Sequence, residues 1–201
     1  MTIPIILASA SDIRSKLLNN ADINHEVIPA NIDEEMIKAS LESEGITPRD
    51  MADVLAEQKA KKISLKYPDA FVIGSDQVLD FQGQYFSKPK SPECLVEFLV
   101  KVSGEDHRLY SSAVIYKGGR PVWRHVGKVT LAIRDLSKEY IRDYVISEWD
   151  NIRYCVGGYK IEDKGLRLFD KIEGDYFVIL GLPLLELIRF LAVNGALKSD
   201  K

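Results

Sequence analysis

The segment Phe71-Val72-Ile73-Gly74-Ser75-Asp76-Gln77-Val78 is an apolar run of strand length that passes through a glycine and a serine into a carboxylate and an amide. It reads as a buried strand whose tip delivers Asp76 and Gln77 to a cleft, at a point where core residues would otherwise continue. Two readings of Asp76 are open on this segment alone. The carboxylate can close a bend by bonding its own backbone, or it can do chemistry.

The pattern around this strand alternates sheet and helix. Ile3–Ala8 is a second apolar run, and Ser9-Ala10-Ser11-Asp12 then supplies N-cap residues before a helix marked by Ile13, Leu17 and Leu18. Asn24–Ala30 alternates like a strand. Pro48 opens a helix that runs to Tyr67-Pro68, with Met51, Val54, Leu55, Ala56, Ile63 and Leu65 at helical spacing and Glu57, Lys59, Lys61 and Lys62 on its polar face. A strand pair is expected around Gln82-Gly83, and a helix from Pro92 to the Ser103-Gly104 stop. Arg108–Tyr116 and Val122–Ile133 form a hairpin about Lys117-Gly118-Gly119, and Ser137 caps a helix through Ile146. Tyr176–Leu180 is strand-like, and Pro183 opens a last amphipathic helix. The fold class expected is α/β, a mixed curved sheet flanked by helices, in a single domain over residues 1–201.

At 201 residues and 46% hydrophobic content, the chain can bury a full core. Lys and Arg number 27 against 30 Asp and Glu, which argues against a long nucleic-acid surface or a polybasic membrane anchor, so an anionic ligand must be met locally. Cys94 and Cys155 lack metal-site or disulfide-framework spacing, which suits a reducing cytoplasm. Ile3–Ala8 has no basic flank and is too short for a signal or a span.

Three groups of residues carry chemistry. Ser9, Ser11, Arg14 and Lys16 surround a helix N-terminus, where hydroxyls, backbone N–H groups and full positive charges suit a phosphate; an ordinary cap with solvated basic residues would look the same. Asp33, Glu34, Glu35 and Asp76 are carboxylates from separate segments, accompanied by Lys59 and Lys88, as a magnesium-type ion and a polyphosphate would require. Taken singly, Glu34 and Glu35 are a solvated helix start and Lys59 a solvated helix face. Gly157-Gly158-Tyr159 with Glu162 combines close backbone approach, an aromatic able to stack on a base and an acceptor for base N–H groups; a glycine turn with a surface Glu is the plain alternative. His25, His107 and His125 are scattered, and none is assigned a catalytic role.

In this order, the blocks resemble the Maf family of nucleoside triphosphate pyrophosphatases. The resemblance begins at Leu7-Ala8-Ser9-Ala10-Ser11 with Arg14 and Leu17-Leu18. It continues through Gln58-Lys59-Ala60, Gly74-Ser75-Asp76-Gln77-Val78, Lys88-Pro89 and Ser103-Gly104, and ends with Gly158-Tyr159, Glu173-Gly174-Asp175-Tyr176 and Gly181-Leu182-Pro183-Leu184. It implies an inosine-triphosphatase-like fold with two lobes around a central cleft. The implied reaction cleaves a nucleoside triphosphate between the α and β phosphates, giving monophosphate and pyrophosphate with a divalent cation, Mg or Mn, to remove modified or unwanted nucleotides.

By the same resemblance Asp76 accepts the proton of the attacking water, and Asp33 and Asp76 face the metal. Lys59 and Lys88 meet phosphate charge, Ser9, Ser11 and Arg14 cradle the triphosphate, and Ile13, Gln77 and Glu162 stand at substrate-selecting positions. Gln77 and Glu162 look more like the branch acting on 7-methyl-GTP than the dTTP/UTP branch, which carries Thr and Gln there. Asp12 and Ile13 depart from the family's Pro-Arg, and Ile13 lacks the aromatic that the 7-methyl-GTP branch carries nearby. Members often form dimers, no stable nucleic-acid complex or membrane contact is implied, and a nucleotide-binding regulator of cell division is the competing class of function.

Overall fold

The computed structural model describes residues 3–197. Strand β1 (Ile5–Leu7) pairs in parallel with β2 (Glu26–Val27) and with β3 (Phe71–Phe81), in the register Ile6 to Glu26 and Ile5 to Phe71. The strand expected over Asn24–Ala30 is only two residues long. Both of its side chains are exposed, so no buried face extends the pairing. β3 is longer than expected, at 11 residues, because Val78, Leu79 and Phe81 are buried and the strand turns through Gln82-Gly83 into β4 (Gln84–Phe86). Asp76 therefore lies mid-strand, not at a tip, and the bend-capping reading falls.

β5 (Asp106–Lys117) and β6 (Arg120–Ile133) are joined by Gly118-Gly119, whose φ values of 56° and 73° suit the mirror-image turn that matches strand twist. β7 (Phe169–Glu173) pairs antiparallel with β6, with a register shift at Ala132/Ile133. The strand order is β2-β1-β3-β5-β6-β7, with β4 on β3, so the sheet is mixed as expected.

Helix starts follow cap chemistry. Asp33, Thr47, Ser91 and Ser137 each accept a hydrogen bond from a first-turn backbone N–H, and they open α2 (Glu34–Ser43), α3 (Pro48–Ser64), α4 (Pro92–Val102) and α5 (Lys138–Ile152). α1 (Asp12–Asn20) starts after Ser11 without a side-chain cap. The stretch Tyr176–Leu180, expected as a strand, is instead a short helix, α6 (Tyr176–Ile179). Asp175 accepts from the Val178 N–H at 3.0 Å, and this local cap overrides the β preference of Tyr-Phe-Val-Ile. α7 (Leu184–Val193) buries Leu184, Leu187 and Leu191. Among the described residues, no helix is long and apolar enough to cross a membrane.

The chain forms two compact units, and β3, β5 and β6 supply residues to both. One unit holds the residues up to Gln77, Tyr110–Gly127, and those from Asp175 onward; its core joins Leu7, Leu18, Phe71, Ile73, Ile115 and Leu187. The other holds Val78–Leu109 and Lys128–Gly174, with Leu95, Leu99, Leu109, Leu131 and Val145 buried. In this second unit His107 is 1% exposed, with Nε2 2.6 Å from the Tyr159 hydroxyl and its ring beside Phe169.

Burial lowers the pKa of the His107 imidazole from its ordinary 6.5 to about 4. Between those values the unfolded chain binds a proton that the folded chain does not. His107 therefore contributes stability fully above pH 6.5, and that contribution is lost as pH falls toward about 4. The loss is on the order of 3 kcal/mol. Urea unfolding at pH 7 and pH 5 should show this slope in the wild type. A His107→Phe protein should lack it, whatever the substitution costs at pH 7.

Candidate functional site

The centre of the site lies in the first unit and begins with helix periodicity. On α3, Leu55, Ala56, Ala60 and Ile63 form the buried stripe, and Lys59 falls within it, at 7% exposure. The expectation of a solvated Lys59 on the polar face is thus corrected: the i, i+3, i+4 spacing from Leu55 and Ala56 carries it inward. Its Nζ meets Asp76 Oδ1 at 2.5 Å and Glu34 Oε1 at 2.7 Å. Asp76 is 6% exposed in β3, while the Glu34 side chain, in the first turn of α2, keeps 37% of its surface.

Arg14 completes the group. Its Nε donates to the Gly181 carbonyl at 2.8 Å, and Nη1 donates to the Ser75 carbonyl at 2.9 Å and to Ser9 Oγ at 3.0 Å. Ser75 Oγ donates to the same Gly181 carbonyl at 3.0 Å. Burial pushes the Arg14 guanidinium below its ordinary pKa, and the Asp76 and Glu34 carboxylates pull it back. Arg14 and Lys59 therefore face Asp76 and Glu34 as two cations against two carboxylates, mostly out of water. The parallel register of β1 and β3 makes this possible: Leu7 pairs with Ile73 and the Ala8 N–H bonds the Ile73 carbonyl at 2.8 Å, so Ser9, just beyond the end of β1, comes beside Ser75 within β3.

Of the other first-unit residues singled out from sequence, Ser11 occupies the α1 N-cap position, where its backbone N–H reaches Ser9 Oγ at 3.3 Å, and Ile13 is half-buried. Asp33 caps α2, accepting from the Met36 N–H at 3.0 Å, so one of its oxygens is held by the backbone, and Glu34 is the acid that shares Lys59 with Asp76. The sequence did hold a signal for this division. Asp is a far better N-cap than Glu, which places Asp33 at the cap and Glu34 on the first helical turn. Gln77 directs its Nε2 to Ser111 Oγ at 3.0 Å and to the carbonyls of Val178 and Ile179 at 3.0 and 2.9 Å. Its amide N–H₂ is thereby committed to the end of α6.

The remaining candidates belong to the second unit. Lys88 and Glu162 are exposed, and both act electrostatically on the Cys155 thiol, whose pKa burial raises. Lys88 also lines a pocket of about 340 Å³, with Lys90, Lys101, Phe86 and Phe98. Of the two readings open for the Gly157-Gly158-Tyr159 turn, stacking by Tyr159 falls, since the ring is 6% exposed and its hydroxyl is held by His107. The space beside the missing side chains of Gly157 and Gly158 is filled by the Tyr159 ring and the Leu95 side chain, which supports the plain glycine turn. A larger depression of about 790 Å³ in the first unit, lined by Ile5, His25, Lys66 and Tyr67 among others, contains none of the charged group around Lys59.

The family model described as Maf-like protein matches residues 4–193. A protein of Ruegeria pomeroyi named nucleoside triphosphate pyrophosphatase is 55% identical over 199 residues, covering 99% of this chain and 100% of that protein. One of the same name from Caulobacter vibrioides is 43% identical over 194 residues, covering 96% and 97%. A 7-methyl-GTP pyrophosphatase of Mesorhizobium japonicum is 42% identical over 197 residues, covering 98% and 99%.

The buried pair sets a stability test. A Lys59→Met protein leaves Asp76 desolvated without its cation and should lose about 3 kcal/mol in urea unfolding. The Lys59→Met/Asp76→Asn double variant should recover most of that loss, a coupling that a mere cavity effect would not produce.

Proposed function

The chain belongs to the Maf-like protein family, and from that premise we propose that it is a hydrolase, a nucleoside triphosphate pyrophosphatase that cleaves between the α and β phosphates to leave monophosphate and pyrophosphate. The observation that carries the reading is the Asp76–Lys59–Glu34 group beside Arg14, an acceptor carboxylate set among cations. Asp76 Oδ1 is held by Lys59 Nζ at 2.5 Å, so we assign Oδ2 as the atom that takes the proton of the attacking water. Arg14 and Lys59 favour the negative charge gathering on the phosphate oxygens. Ser9 and Ser11 add hydroxyls at the start of α1, and Lys88 is assigned to phosphate charge on the strength of its motif.

A divalent cation suits these donors. Mg²⁺ is usually held by one or two carboxylates together with substrate phosphates. Asp76 and Glu34 each meet the Lys59 ammonium through one carboxylate oxygen, which brings two acids from separate elements together, whereas among the described residues no group of three His, Cys, Asp or Glu could form an all-protein cage. Asp76 and Glu34 would hold Mg or Mn together with substrate phosphate oxygens, with Asp33 assisting from the α2 cap through the oxygen that the Met36 N–H does not take; when bound, the ion would supply charge neutralisation and activation of water.

For the base, we assign a modified purine nucleotide of the 7-methyl-GTP type. Glu162 is a carboxylate suited to a cationic base through charge-assisted hydrogen bonding. Gln77 stands directly after Asp76, and one relative bears the name 7-methyl-GTP pyrophosphatase. Discarding such nucleotides before they are used would be the enzyme's purpose.

Purified protein with Mg or Mn and a panel of 7-methyl-GTP, UTP, dTTP and other nucleotides should release monophosphate and pyrophosphate, fastest from 7-methyl-GTP. Release of orthophosphate would overturn the reaction, and a preference for UTP or dTTP would overturn the base. Asp76→Asn should lower turnover by about 10²–10⁴ while nucleotide still binds. A cell-division phenotype that survives this substitution would point to a binding regulator instead.

A further inference from the structure

Gly74 stands two residues before Asp76 in β3, so both present the same face of the strand. That face meets α3 at Ala56 and Ala60, which are fully buried and one turn apart. A Cβ placed on Gly74 would lie 2.0 Å from the Ala56 carbonyl oxygen and 2.6 Å from the Ala60 backbone nitrogen. Both atoms are main chain, so neither can swing aside as a side chain would. Any residue larger than glycine must drive helix and strand apart by roughly 1 Å or more, to reach ordinary contact near 3.4 Å.

The residue next to Ala60 is Lys59, whose Nζ bridges to Asp76 at 2.5 Å. The helix is otherwise held along its length and about its axis. Arg124 bonds Asp53 at 2.6 Å and Glu57 at 3.2 Å, Tyr116 donates to Glu57 at 2.5 Å, and Ser112 donates to Asp53 at 3.0 Å. With rotation and register fixed from the β5 and β6 side, the separation between α3 and β3 is the coordinate left to set the reach of Lys59. The Lys59 stem has little slack to absorb a change, since it is buried and its ammonium is also bonded to Glu34 at 2.7 Å.

We propose that Gly74 is a positioning residue for the reaction: by lacking a side chain it admits α3 to the distance at which Lys59 clamps Asp76. The inference rests on the assignment of Asp76 as general base. It concerns how that base is held, and touches neither the choice of nucleotide nor the phosphate contacts.

The test compares Gly74→Ala, Ala60→Val and Asp76→Asn in the full chain. Ala60→Val presses on the same contact from the helix side and keeps the question open to test if Gly74→Ala fails to fold. Turnover is measured per nucleotide-binding molecule, counted with a non-hydrolysable triphosphate analogue, and stability is followed separately by urea unfolding. The expected result is a fall in kcat of about 10–100-fold in the folded variants with KM within about threefold of wild type, since a misplacement of about 1 Å acts on the reacting geometry more than on binding. Unchanged kcat per binding-competent molecule, with only stability reduced, would overturn the inference and leave Gly74 a packing residue. Wild-type turnover by Asp76→Asn would instead overturn the general-base assignment, whatever the spacing variants do.

Discussion

Lys59 is a cation placed where a helix buries its apolar stripe, and the surrounding structure is organised by the need to compensate it. An ammonium at this depth is tolerable only with carboxylates at contact distance, because desolvation of an unpaired charge would exceed what neighbouring packing contributes. Asp76 and Glu34 meet that need from β3 and α2, so one side chain ties together three elements that are distant in sequence. Arg14 repeats the arrangement from α1, with Ser9, Ser75 and Gly181 taking its N–H donors. A buried polar group of this kind adds little net stability, but alternative packings that leave any member unpaired are strongly penalised.

The same economy of donors and acceptors shapes the neighbourhood of Gln77. Carbonyls at the end of a short helix lack intrahelical partners, and those of Val178, Ile179 and Gly181 are taken by Gln77, Ser111, Ser75 and Arg14. The Glu173-Gly174-Asp175-Tyr176 and Gly181-Leu182-Pro183-Leu184 blocks flank this short helix. The first block supplies the Asp175 cap of this helix, and the second supplies the Gly181 carbonyl to Ser75 in the strand carrying Asp76. In the second unit, a buried hydrogen bond between His107 and Tyr159 plays a comparable part, and Tyr144 donates to the Gly158 carbonyl at 3.1 Å. The segment that ends at Glu162 is thus fixed from beneath by aromatic side chains.

Much of this fold is legible from residue order, because its signals are local. Thr47-Pro48, Ser91-Pro92 and Ser137 open helices where cap chemistry says they should, and Gln82-Gly83 and Gly118-Gly119 turn hairpins. Residue order misleads where one signal overrides another, whether a neighbouring cap, the spacing along a helix or a distant partner. Tyr176–Ile179 has strand-like composition but is helical because Asp175 caps it. Tyr159 is by composition able to stack on a base, yet its hydroxyl finds His107, which is far away in sequence. Lys59 belongs to a residue type that usually takes the polar face, yet its spacing from Leu55 and Ala56 sets it on the buried stripe.

Residue order alone marks the chain as an α/β protein of the Maf-like family and singles out Asp76, Arg14 and Lys59, because periodicity, caps and motif order are properties of neighbours along the chain. Tertiary structure decided that Asp76 lies within a strand, that Glu34 rather than Asp33 shares Lys59 with it, and that Gly74 leaves α3 no further than that contact requires. Those outcomes depend on distances between elements far apart in sequence. Such distances follow from which surfaces can close against each other without voids or unpaired charge.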